Sequence, residues 1–160
     1  MQKTGTNDNA PTLRRVRRPK DKEAIILRLT QGTDNVFSTF VDLLCFAACL
    51  GYSRDLSVPF ENSSEPVPWH IFESSNKDSV VNLIAAVASD DYGIVGVDRF
   101  DNKLNVFEQY ANGGLQVLAE LVEKSPKSPF DIVTDLIQEA RKTANESGSP
   151  LEQMARDLSW

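Results

Sequence analysis

A chain of 160 residues with 41% apolar and 25% charged residues is long enough to bury one core and has ordinary globular balance. Its longest apolar-rich run, residues 36–50, is too short to cross a bilayer and is broken by Asp42, which excludes a membrane span. The opening residues 1–8 carry no apolar leader segment, so a soluble cytoplasmic protein with no membrane partner is expected.

Charge is segregated along the chain. Residues 1–30 hold eight Lys/Arg against three acids, a net of +5, while the other 130 residues hold nine against twenty, a net of −11. The positive charge is densest at Arg14, Arg15, Arg17 and Arg18, with Lys20 and Lys22 just beyond. A basic arm on an acidic body points to an anionic partner.

Residues 1–13 are polar and rich in breakers, so residues 1–18 read as a flexible basic arm. Pro19 suits the first position of a helix, and Asp21 and Glu23 sit where the positive end of its dipole favours acids. Ala24, Ile25, Ile26 and Leu29 give that helix an apolar face, and Gly32 is its stop. Thr33, Asp34 and Asn35 offer caps for a second helix over residues 35–50, closed by Gly51. That helix is apolar almost all round, which marks it as the buried centre of the fold.

Residues 56–72 carry several prolines around a polar turn and predict an ordered loop or a small hairpin. Its Pro66, Trp69, His70 and Phe72 form a candidate partner-docking surface. Helical spacing returns at residues 77–90, with Val80, Leu83, Ile84 and Val87 on one face. Residues 93–97 read as a linker or short strand. From residue 101 to 123 the apolar spacing is helical again. At Gly113 and Gly114 either the helix breaks or another backbone packs closely. A last amphipathic helix follows the prolines at 126 and 129. The expected architecture is all-α: a compact bundle of about five helices. The expected divisions are the arm at 1–18, a helical domain at 19–144, and a tail or short C-terminal helix at 145–160.

Little in the chain reads as a reaction centre. His70 is the single histidine, and Cys45 and Cys49 lie at i,i+4 within an apolar helix. Zinc sites draw thiols from turns, so neither a metal site nor another cofactor is expected, and the thiols read as reduced core residues. No phosphate-cradling glycine pattern is present. No residue is assigned a catalytic role, and the chain is expected not to be an enzyme. Asp42, on an otherwise apolar helix, needs a partner, for which Arg54 is the candidate.

Taken in order, Arg15–Lys22, Phe37–Tyr52, Val58–Phe60, Glu65–Phe72 and Phe107–Leu115 resemble one family. It is the DNA phosphorothioation-associated protein 4 family, small proteins encoded beside bacterial Dnd-type backbone-sulfur modification and restriction genes. The resemblance covers residues 14–122 and implies an accessory role in a DNA-modification-linked antiviral system, without sulfur chemistry.

Two functions follow. In the first, Arg14, Arg15, Arg17, Arg18, Lys20 and Lys22 grip DNA phosphates, modulating transcription or restriction; four such contacts give a log K against log salt slope of about −3.6. In the second, the chain is a non-enzymatic adaptor whose acidic helical surface, with the loop at 56–72, docks onto a restriction subunit; Dnd-type restriction or modification proteins are the candidate partners. A homo-oligomer would double the arm and let weak phosphate contacts add.

Overall fold

The most apolar stretch of the chain becomes α2 (Phe40–Ser53), and the other elements are arranged around it. The fold is seen in a computed structural model that describes residues 14–148. Among these there are six α-helices, three short 3-10 turns and two two-residue strands, so the all-α class holds. Residues 1–13, read above as the polar start of the arm, and residues 149–160 lie outside the described part.

Strand β1 (Arg15–Val16) opens the described chain and leads through a 3-10 turn at Lys20–Lys22 into α1 (Glu23–Gln31). Gly32 caps α1, and the carbonyl of Leu29 accepts from the N–H groups of Val36 and Phe37. Residues 33–35 are therefore a turn, not the start of the next helix. The cap of α2 is Thr39: its hydroxyl accepts from the Asp42 N–H at 3.1 Å and donates to the Asp42 carboxylate at 2.8 Å. Asp42 thus belongs to a helix start, where an acid is favourable.

Gly51 does not end α2. It lies inside the helix, at the crossing with the 25-residue α5 (Phe100–Lys124). A Cβ on Gly51 would stand 2.0 Å from the Tyr110 carbonyl oxygen, and one on Gly114 would stand 1.8 Å from that of Ala47. Gly113 meets the Leu56 carbonyl in the same way. Of the two readings of the glycine pair, close backbone approach is the one the molecule adopts, and α5 runs through unbroken.

The segment after α2 forms β2 (Val67–Pro68) and α3 (Trp69–Ser74). β2 pairs antiparallel with β1, Arg15 opposite Pro68 and Val16 opposite Val67, on a sheet edge where proline is tolerated. The pairing continues in both directions. Trp69 N–H donates to the Arg14 carbonyl, Ser64 to that of Arg18, and Lys20 to that of Asn62.

α4 (Asp78–Ser89) is closed by Asp90 in the left-handed conformation (φ 51°). The expected linker at 93–97 is two 3-10 turns, Tyr92–Val95 and Val97–Arg99, which feed α5. α6 (Pro129–Glu146) starts on a Ser128 cap with proline in its first turn and runs two residues beyond the boundary expected at 144. The core is one cluster around Leu43, Leu44, Phe72, Phe107, Leu115 and Leu118, with Val16 of β1 among its fully buried members.

Candidate functional site

The basic block is part of the folded body. Along residues 14–18 the side chains alternate as on a strand. Arg14, Val16 and Arg18 point one way: Arg14 lies over the Phe100 ring at 4.1 Å, Val16 enters the core, and Arg18 lies over Phe40 at 4.1 Å. Arg18 is only 5% exposed; it donates to the Glu65 carbonyl at 2.7 Å and faces Glu23 at 3.4 Å. On the other side Arg17 packs over Phe60 and clamps Glu108 of α5.

Glu108 is 3% exposed. One of its oxygens accepts from the Arg17 backbone N–H at 2.7 Å, and the other accepts from Arg17 Nε at 2.8 Å. Burial pushes its carboxyl above the usual range, and the Arg17 hydrogen bonds and charge oppose that rise. The boundary expected at residue 18 therefore falls inside the domain. The cause is an internal acid and a set of aromatic faces that hold the guanidinium groups.

What is left at the surface is a reduced set. Arg14, Arg15 and Lys20 are exposed, and Lys22 pairs with Asp21 at 2.5 Å. Arg14 and Arg15 line a polar cleft of about 490 Å³ with Arg99, Asp98 and Asp101 at the start of α5. Arg99 is bound to Asp91, whose carboxyl is held below its ordinary range chiefly by that hydrogen bond. Behind the cleft Lys103 is buried, with its ammonium over the rings of Phe100 (4.7 Å) and Trp69 (5.2 Å). Desolvation lowers its pKa and the charge of Arg14 adds to that.

Asp42 and Arg54 are not brought together. Half-buried Asp42 faces Lys77 at 3.6 Å, while Arg54, at the other end of α2, reaches Glu139 of α6 at 3.1 Å. The candidate docking loop is turned inward. Trp69 and Phe72 stack at 5.7 Å and meet Phe100 and Phe107 edge-on, leaving His70 exposed and Pro66 half-buried. Cys45 is in the core and Cys49 is exposed, so one of the two thiols is not a core residue. Among the described residues no group of His, Cys, Asp and Glu is placed to hold a metal, and no helix is long and apolar enough to cross a membrane.

An apolar surface lies elsewhere. α4 buries Val81, Ile84 and Ala85, and leaves Leu83 61% and Val87 39% exposed, contrary to the single inward face read from spacing. The small Ala85 and Ala86 close a minor core with Ile94 and Val106, and this draws the helix round. On the adjoining 3-10 turns Tyr92 is 79% and Val97 76% exposed, with Val95 between them. These turns are held in place: Ile94 is buried, and Asp91 accepts from the Gly93 N–H at 2.9 Å and binds Arg99. The sequence signal is an excess of apolar residues around α4, more than one stripe requires.

No curated protein and no solved structure matches the chain. A family model, DNA sulphur modification system-associated protein 4, matches residues 15–154, from the first strand residue through α6. That span takes in Arg17, Glu108 and all three close-packed glycines, and the chain belongs to the DNA sulphur modification system-associated protein 4 family.

Proposed function

We propose that this protein, an associated component of a DNA sulphur modification system, is a non-enzymatic docking subunit working in the cytoplasm. It contacts a protein of that system through Leu83, Val87, Tyr92, Val95 and Val97. The observation that carries this reading is the exposure of about three quarters of Tyr92 and Val97 on turns that are themselves anchored. Fixed, exposed apolar side chains grouped together mark interaction surfaces. At the Val97 end the patch runs into the cleft that holds Asp98 and Asp101 together with Arg14, Arg15 and Arg99, so its rim carries both signs of charge and the partner is expected to offer charged groups around an apolar centre.

The test is co-purification from cells co-expressing the chain with the modification and restriction proteins of the same system. Wild type is expected to retain a defined one of them, and the doubly changed Tyr92→Asp/Val97→Asp protein to lose it while keeping its helical spectrum. Equal retention by both forms would overturn the reading.

A second reading, DNA binding, is favoured by one observation. Arg14 and Arg15 are exposed and make no ion pair among the described residues, and Arg99 shares their cleft. With Arg17 and Arg18 engaged internally, this surface offers about two phosphate contacts, for a salt slope of about −1.8.

A further inference from the structure

The polar cleft of about 490 Å³ at the start of α5 is lined by Arg14, Arg15 and Arg99 against Asp98 and Asp101, which leaves one positive charge in excess. That excess stands on a body whose residues 31–160 carry a net charge of −11. Arg99 is bound to Asp91, whereas Arg14 and Arg15 make no ion pair among the described residues. The Phe100 ring carries two cations, the Arg14 guanidinium at 4.1 Å and the Lys103 ammonium at 4.7 Å. Lys103 is 5% exposed and forms neither an ion pair nor a hydrogen bond among the described residues. Desolvation and the charge of Arg14 disfavour its ammonium, and Asp78 and Glu73 offset this only in part. α5 starts at Phe100 with no side-chain cap and only Asp101 to complement the positive end of its dipole. An oxyanion in the cleft offsets all of these positive groups at once.

We propose that the cleft seats one acidic side chain, an aspartate or glutamate, of the protein that docks on the adjoining apolar patch, an inference that rests on the docking reading above. Val97 belongs to both surfaces: exposed in the patch, it also lines the cleft. A partner segment with an apolar residue against Val97 therefore brings a neighbouring acid to the arginines, whose planar forks match a carboxylate. One carboxylate balances the single excess charge. A nucleic-acid strand fits less well, because it brings a charge at every nucleotide past Asp98 and Asp101. Those two aspartates act as the repulsive element that restricts the seat to a lone acid.

The experiment is co-purification of the full chain, after nuclease treatment, from cells co-expressing the modification and restriction proteins of the same system. Arg14→Glu/Arg15→Glu is expected to retain about tenfold less partner than wild type. Asp98→Asn/Asp101→Asn is expected to retain as much or more. Arg15→Glu alone, at an exposed residue, gives the same reading should the double change disturb folding. Undiminished retention by the arginine variants, while Tyr92→Asp/Val97→Asp loses the partner, overturns this inference and leaves the docking reading standing. Retention by Tyr92→Asp/Val97→Asp removes both. Loss of the partner on neutralising the aspartates shows that it presents cations, and loss on nuclease treatment shows a nucleic-acid bridge; either overturns the proposal.

Discussion

Arg17 and Glu108, 91 residues apart in sequence, are joined by a backbone N–H bond of 2.7 Å, an Nε bond of 2.8 Å and a guanidinium contact of 2.8 Å. This one carboxylate fixes both the main chain and the side chain of the basic block to α5. Removing either partner leaves the other uncompensated, and for buried Glu108 that is severe. Arg17→Ala and Glu108→Ala are each expected to lower stability by about 3 kcal/mol. Denaturant unfolding of both single variants and the double variant checks this, the double costing clearly less than the sum.

Exposed Arg15 gives the contrast. With no carboxylate partner among the described residues, Arg15→Ala should change stability by less than about 0.5 kcal/mol. The same substitution combined with Arg14→Ala is the direct check on nucleic-acid binding. If the second functional reading holds, a mobility-shift titration shows wild-type affinity falling with salt at a slope of about −1.8 and lost in the double variant. If docking alone is the function, neither protein shifts DNA.

At the α2–α5 crossing, Gly114→Ala would drive a methyl group to 1.8 Å from a backbone oxygen, and Gly51→Ala to 2.0 Å. Both helices must move apart to admit it, so each change is expected to cost about 3 kcal/mol or more, read as a lowered denaturation midpoint. Gly93, whose nearest neighbour is the flexible Asp91 carboxylate at 3.1 Å, is expected to tolerate alanine far better.

The two thiols separate by pH. Burial pushes Cys45 from an ordinary 9.0 up to about 12, the charges of Cys49 and Asp42 adding to this. Between those values the folded chain keeps a proton that the unfolded chain has lost, so stability falls as pH rises from 9 towards 12. Cys45→Ala should flatten that decline. At pH 8 a thiol reagent is expected to modify exposed Cys49 in the native protein and Cys45 only on unfolding.

Much of the scaffold was legible because it rests on local chemistry. The amphipathic pattern after Pro129, the apolar girth of α2, and the 3–4 spacing through α5 each specify a helix without tertiary information. Other features depend on what the fold brings near. Gly51 looks like a stop until α5 lies across it, and Leu83 looks like a core residue until Ala85 and Ala86 turn α4 the other way. The basic block was the largest such case. Its charge density is plain in sequence, but the acid and the rings that hold it come from Glu108, Phe40, Phe60 and Phe100, none of them within 20 residues. The same distances hid the apolar turns around Tyr92, since their exposure depends on Ile94 finding Ala85 and Val106.

Amide hydrogen exchange across residues 14–20 tests the anchoring of the basic block to the folded body most directly. The Arg17 N–H is bonded to Glu108, and the Lys20 N–H to the Asn62 carbonyl. Both amides are expected to exchange orders of magnitude more slowly than in a free peptide, and Glu108→Ala is expected to release Arg17 first. Exchange of this segment in the wild-type protein at free-peptide rates would contradict the account and restore the block as an independent arm.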